Sequence, residues 1–327
     1  MSDGQESLKG RLAAACAALL MAVSVAAQEY PAKPVRIIIG FPPGGATDLV
    51  ARLLTPKLTE AFRQQIIVDN RPGANGVMGA EIAAKAPPDG YTVHLGTLAA
   101  LVITPAITKV PYDTFKDFTP IGRIVSLQNI FIVHPTLPAR TLKELIALAK
   151  ARPGKLNYAS SGTGSTGHLS GELFKSMAGV DMVHVPYKGG GPALTDLIAG
   201  HVEIFVAIIS TAVPQVKAGK ARALAVTGDK RAAALPDVPT VSESGLKGYE
   251  STNWYCMLGP ANLPKPIVDR WHRELTAALN SPEVKQALFE RGIDAAPTSP
   301  AELAAYMKSE TAKWTKVAKA SGLKAEQ

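Results

Sequence analysis

From Tyr30 onward, short apolar runs alternate with segments whose apolar residues recur at helical spacing. Residues 35–41, 66–69, 92–96, 121–134, 156–159, 182–185, 202–208, 223–226 and 255–258 have the length and β-branched content of strands. Helical patterns separate many of them, the order of a mainly parallel α/β sheet with right-handed crossovers. The alternation breaks at two places. Residues 121–134 are too long for one ordinary strand, and Ser126-Leu127-Gln128-Asn129 reads as an interruption where the chain leaves one domain and enters another. A returning crossover is expected at residues 249–254, after a Pro/Gly-rich stretch, so that two crossovers form a hinge. The expected division is residues 28–127 with 253–327 as one domain and 128–252 as the other. The C-terminal part reads as purely helical over residues 266–280, 282–290 and 301–320, with Ser281 and Ser299 as N-caps ahead of Pro282 and Pro300.

One local unit, strand then Gly-rich loop then helix, occurs three times. Residues 37–41 run into Pro42-Pro43-Gly44-Gly45-Ala46-Thr47-Asp48 and a helix carrying Leu49, Leu53, Leu54 and Leu58. Residues 156–159 run into Ser160-Ser161-Gly162-Thr163-Gly164-Ser165-Thr166-Gly167-His168 and a helix carrying Leu169, Leu173, Phe174 and Met177. Residues 183–185 run into Pro186-Tyr187-Lys188-Gly189-Gly190-Gly191-Pro192 and a helix carrying Leu194, Leu197 and Ile198. Glycines after a strand let backbone approach a ligand, and the helix start offers unpaired N–H groups at the positive end of its dipole. Such loops suit anions, although Gly, Ser and Thr also serve there simply as turns and caps. The hydroxyls of Ser160, Ser161, Thr163, Ser165 and Thr166 can hold a carboxylate without a buried cation. Asp48 reads as a first-turn acidic residue favoured by the helix dipole rather than as a ligand group. His168 could donate to a ligand or serve the cap or core, and Lys188 could steer an anion or be merely solvated.

Composition narrows the class. The chain has 327 residues, 46% hydrophobic and 19% charged, with 28 Gly and 25 Pro, which excludes wholesale disorder and a plain helix bundle. The net charge is +8, but Lys and Arg never run three together, which argues against a nucleic-acid partner and leaves small anions. Residues 1–27 have Lys9 and Arg11 ahead of an Ala-rich apolar stretch ending in Ser24-Val25-Ala26-Ala27, the layout of a secretory signal cleaved after Ala27. Cys16 lies too early in that stretch for lipid attachment. Cleavage leaves Cys256 alone, so no intramolecular disulfide is expected, and its apolar neighbours mark it as a buried small hydrophobe.

Enzyme signatures fail when extended. Gly162-Thr163-Gly164-Ser165-Thr166-Gly167 fits G-x-G-x-x-G, but the strand that follows ends in Pro186-Tyr187 where an acidic ribose ligand should stand. The P-loop and G-x-S-x-G patterns are absent, and the histidines show no metal-ligand spacing. No catalytic residue, metal or cofactor is expected.

Several stretches together resemble the Bug-type, or tripartite tricarboxylate transporter receptor, family of periplasmic solute-binding proteins. They are residues 40–45, 70–76 (Asn70-Arg71-Pro72-Gly73-Ala74-Asn75-Gly76), 88–92 (Pro88-Asp89-Gly90-Tyr91-Thr92), 157–168, 185–189, and 217–220 with 222–226. The resemblance covers roughly residues 30–320. It implies a two-domain, periplasmic-binding-protein-like (type II) α/β fold that closes on a small carboxylated solute and hands it to inner-membrane permease subunits. A monomer is expected. The resemblance implies that the loops at residues 41–47 and 160–166 hold the carboxylate and that the Thr97 loop and the segment after Phe205 complete the wall. With the residues of the loop units read above, the expected ligand set is Phe41, Pro43, Gly44, Gly45, Ala46, Thr47, Thr97, Ser160, Ser161, Gly162, Thr163, Ser165, Thr166, His168, Tyr187, Lys188, Gly189 and Ala207. An Asp is common in the family near Ala207, where this chain reads Val206-Ala207-Ile208-Ile209, so a di- or tricarboxylate or an aromatic acid is favoured over an amino acid. A secreted hydrolase acting on an acid, and a receptor that presents its ligand to a membrane sensor, remain as alternative readings.

Overall fold

The structure is a computed structural model that describes residues 30–320; the signal segment expected at 1–27, with Cys16, lies outside the described residues. The strands are β1 (Val35–Ile39), β2 (Ile66–Asn70), β3 (Thr92–Thr97), β4 (Phe118–Val133), β5 (Asn157–Ser160), β6 (Val183–Pro186), β7 (Ile204–Ile208), β8 (Arg222–Val226), β9 (Thr252–Pro260) and β10 (Ile293–Ala295). The helices are α1 (Ala46–Phe62), α2 (Val77–Ala84), α3 (Thr104–Ile107), α4 (Leu142–Ala151), α5 (Thr166–Ala178), α6 (Gly190–Ala199), α7 (Ile209–Lys217), α8 (Lys265–Asn280), α9 (Pro282–Phe289) and α10 (Pro300–Ala320).

The strands form two sheets that share β4. The first has the order β2-β1-β3-β9-β4 and the second β6-β5-β7-β4, with β8 on the other side of β4. The two orders have the same plan. Three parallel strands are followed by one antiparallel strand that arrives from the other sheet, which is β9 in the first and the far half of β4 in the second. The β4 partners change at one point: residues through Gln128 pair with β9, and residues from Asn129 pair with β7 and β8.

Central strands are apolar on both faces because helices cover both. In β1, Ile37 and Ile39 face a cluster shared with α1 and α8, while Ile38 faces the opposite cluster with α2 and α10. The second sheet repeats this in β7, where Ile204 and Val206 face one cluster and Phe205 and Ala207 the other. A close approach binds α2 to the end of β1. A Cβ built on Gly79 would lie 2.6 Å from Gly40 Cα, so only glycine lets the two backbones meet.

Three local expectations are corrected. Residues 126–129 do not interrupt the strand. Gln128 and Asn129 are buried and paired across the sheet crossing: Gln128 Oε1 accepts from Gly228 N–H at 3.0 Å, and Asn129 N–H donates to Thr227 Oγ1 at 2.8 Å. The C-terminal part is not purely helical, since β10 pairs antiparallel with residues 125–127 of β4. Three residues are too short to show a period, and the open flank of β4 supplies the driving force. Met177, expected on the apolar side of its helix, is 39% exposed. The caps are where the pattern places them: Ser281 accepts from Val284 N–H, and Ser299 forms a reciprocal capping box with Glu302.

Candidate functional site

In each sheet the strand order reverses beside its first strand, between β1 and β3 and between β5 and β7. The crevice beyond the C-terminal ends of such strands is where open α/β sheets bind ligands. Here the two crevices face each other. Asn75, beyond β2, donates its Nδ2 hydrogen to Thr163 O in the loop after β5. A Cβ on Gly189 would lie 3.6 Å from Pro42 Cγ, so the loops after β1 and β6 also touch.

The loop after β1 is shaped by Asp48. Its Oδ2 accepts from Gly44 N–H at 3.0 Å and Arg52 Nε at 2.9 Å, and its Oδ1 accepts from Asn70 Nδ2 at 3.1 Å. Burial works to raise its pKa, but the hydrogen bonds from Arg52, Gly44 and Asn70 together hold it below the ordinary carboxylate value. With its carboxylate spent on the loop, Asp48 leaves the first-turn N–H groups of α1 to something else. The Gly45 N-cap has no side chain to take them.

The loop after β5 rests on two histidines. Ser160 Oγ accepts from Gly162 N–H at 3.1 Å and shares a 2.7 Å hydrogen bond with His184 Nε2. His168 Nδ1 accepts from Gly164 N–H at 3.0 Å, and the two imidazoles stack at 3.8 Å. Burial lowers His168 to about 4, and burial reinforced by His168 lowers His184 to about 3. An unfolded histidine titrates near ~6.5, so between that value and the folded ones the unfolded chain binds more protons. The pair's contribution to stability is therefore complete above about pH 6.5 and is lost as the pH falls toward the folded values. Urea midpoints are expected to drop across this window and to drop less steeply in His184→Gln, which can still bond Ser160. An unchanged slope in that variant would show that His184 is not held neutral.

Between the loops lies a cavity of about 240 Å³. Of the residues expected from the sequence, Phe41, Pro43, Gly44, Gly45, Ala46, Thr47, Thr97, Ser161, Ser165, Thr166, Lys188 and Gly189 line it. Gly162, Thr163 and Tyr187 instead line a more open depression of about 640 Å³ beside it. The remaining three do other work. Ser160 is fully buried behind the loop, His168 supports Gly164, and Ala207 faces the core cluster that includes Leu197 and Val213. Strand parity moves the role assigned to Ala207 to its neighbour Ile208, which lines the cavity. Sequence reasoning also missed Ala99 on a π-helical turn, Thr211 in α7, Asn253 and Tyr255 in β9, and the α6 start at Gly190-Gly191. The Gly-Gly pair was visible as the third copy of the loop unit; nothing local marked the others.

Lys188 is the charged side chain of this wall, and no carboxylate joins it. Four helix starts reach the cavity. Those of α1 and α6 have glycine N-caps and that of α7 follows Ile208, none with a side-chain cap, while Ser165 caps α5 by accepting from His168 N–H at 3.2 Å. The arrangement offers hydrogen-bond donors and positive dipole ends to an anion and no carboxylate to a cation.

The sequence profile described as tripartite tricarboxylate transporter family receptor matches residues 50–323. The chain belongs to this receptor family. Protein BugT of Bordetella pertussis (strain Tohama I) is 33% identical over 306 residues, 93% of this chain and 94% of BugT. R. palustris Rpa4515, solved with adipate, superposes with a TM-score of 0.87 at 38% identity, covering 90% of this chain and 99% of that one. MatC (Rpa3494) from Rhodopseudomonas palustris, solved with bound malate, has a TM-score of 0.83 at 32% identity, covering 88% of this chain and 99% of that one.

In this receptor the cavity is joined to the sheet crossing by a buried polar chain. Thr166 Oγ1 donates to Asn129 Oδ1 and accepts from Asn253 Nδ2, each at 3.3 Å. Asn129 Nδ2 donates to Ser170 Oγ at 2.9 Å, and Ser170 Oγ lies 2.7 Å from Ser251 Oγ. The points where the chain passes between sheets thus share hydrogen bonds with a residue of the cavity wall. A fully satisfied network of this kind rigidifies the crossing and specifies its geometry.

Proposed function

We propose that this receptor captures a small organic carboxylate between the loop at residues 44–47 and the loop at residues 161–166, and delivers it to permease subunits in the membrane. The carrying observation is the cavity itself: the starts of α1 and α6, whose glycine N-caps bring no side chain to their N–H groups, converge there with one lysine and no acidic side chain. Di- and tricarboxylates and aromatic acids fit this chemistry, and the volume favours small members of each class. An ammonium group would find no counter-charge, since no acidic side chain lines the cavity. Adipate on Rpa4515 and malate on MatC support the reading. Residues 1–27 direct export and are removed, and the mature chain works in the periplasm as a monomer whose two sheets move about the crossings at β4 and β9.

The bound acid leaves unchanged. Ser160 and His184 form a Ser–His hydrogen bond, but Ser160 is fully buried and does not line the cavity; Ser165 is occupied as an N-cap. Burial also pushes the Cys256 thiol up, away from a nucleophilic thiolate. Mass spectrometry of small molecules released from purified protein is expected to return an organic acid in stoichiometric amount. Steady consumption of an added acid would instead establish an enzyme, and release of a cationic or neutral solute would overturn the carboxylate reading.

A further inference from the structure

Tyr255 leaves only 1% of its surface exposed, yet it lines the cavity. Its hydroxyl meets no hydrogen-bond partner among the described residues. Other buried tyrosines behave differently. Tyr112 donates to Ala100 O at 2.6 Å, Tyr158 to Glu172 Oε1 at 2.6 Å, and Tyr249 to Ser170 O at 2.7 Å. A phenol fully withdrawn from water normally finds such an acceptor; the Tyr255 hydroxyl instead keeps access to the cavity, where a ligand that displaces water must replace the lost hydrogen bond.

Tyr255 enters the cavity from a strand rather than from one of the Gly-rich loops. It rises from β9 directly opposite Thr97 at the end of β3, and opposed residues of an antiparallel pair share a face. β9 lies two strands from β1 in the sheet, roughly 10 Å across at ~4.8 Å per strand. Thr97 Oγ1 accepts from Ala100 N–H at 3.3 Å, and Thr97 lines the same cavity. Two hydroxyl-bearing side chains therefore line the cavity from the sheet, while the glycine N-caps of α1 and α6 line it from the loops. Burial drives ionisation of Tyr255 upward, so the neutral phenol is the form present and it can donate.

We propose that Tyr255 is a specificity-determining residue, donating its phenol hydrogen to a second oxygen function of the ligand and so favouring dicarboxylates and hydroxy acids over plain monoacids. The inference rests on the carboxylate reading above and assigns the far end of the same ligand. A plain monoacid would bury the phenol without an acceptor, a penalty that a site built to hydrogen-bond its ligand uses for discrimination.

The test compares wild type with Tyr255→Phe by calorimetric titration of chain-matched pairs, adipate with hexanoate and succinate with butyrate. Wild type is expected to prefer the diacid of at least one pair by about ten- to a hundredfold, as for a hydrogen bond to a charged group. Tyr255→Phe should lose about tenfold or more toward that diacid while binding the monoacid at least as well as wild type, because the unpaired phenol is gone. Its ligand-free melting temperature should stay unchanged, since no protein partner is lost. Equal diacid affinity in the two proteins, or a lowered ligand-free melt, overturns the role of Tyr255 and leaves the carboxylate reading standing. Failure of wild type to bind any of the four acids removes that reading and this inference with it.

Discussion

Gly191→Asp is expected to leave the ligand-free protein folded and to erase its melting shift with an acid ligand. Gly191 lines the cavity in the first turn of α6, and a Cβ there would meet nothing within 4 Å. A new carboxylate at that place is welcome to the helix itself, worth about 0.3–1 kcal/mol from the dipole. It is ruinous for a bound anion. Like charges about 4 Å apart at an effective dielectric near 20 repel by about 4 kcal/mol, close to a thousandfold in affinity. Wild type at one hundred times its dissociation constant should gain about 2.7 kcal/mol, easily visible in a thermal melt, while the variant should gain nothing measurable. Gly45→Asp repeats the test from the first sheet, where the new Cβ would stand 3.4 Å from Pro42 O, an ordinary contact. Gly162 is unsuited to it, because φ +133° and 3.1 Å approaches to Asn75 Oδ1 and Tyr187 O would strain any side chain. A full adipate or malate shift in both variants would move the anion out of the space between these loops.

Gly79→Ala is expected to cost about 3 kcal/mol, at the upper end of overpacking penalties. The new methyl carbon would sit 2.6 Å from Gly40 Cα and 2.7 Å from Gly40 N, and backbone cannot rotate aside as a side chain can. Either α2 lifts from the sheet or the end of β1 shifts, and the second displaces the loop beginning at Phe41. The loss should therefore appear both as a lower urea midpoint and as weaker acid binding. Gly191→Ala, in open space, should change stability by no more than about 1 kcal/mol. Equal midpoints for Gly79→Ala and wild type would show that α2 does not approach β1 this closely.

Much of the architecture was legible because it is written locally. The Ile37-Ile38-Ile39 run, the Leu54 and Leu58 spacing and the Ser281 and Ser299 caps each act within a few residues, and the loops after β1, β5 and β6 announce themselves by glycine next to an apolar run. Asp48 was legible for the same reason: a first-turn carboxylate closes back on Gly44 four residues away. The polar stretch 126–129 misled because its partners, Thr227 and Gly228, lie about a hundred positions on and only the folded crossing supplies them.

By itself, then, the sequence determined the α/β class, the strand-loop-helix units and the anion-seeking character of three loops, all of them consequences of short-range backbone chemistry. Tertiary structure alone decided which residues line the cavity. Tyr255 and Asn253 reach the cavity because β9 returns from the second sheet to lie against β3 and β4, and Ile208 displaces Ala207 through the parity of β7 against its neighbours. Ser160 and His168, equally plausible as ligand groups in sequence, are turned behind the loop by the stacked His184. Long-range pairing sets those orientations, and side-chain periodicity cannot encode it in advance.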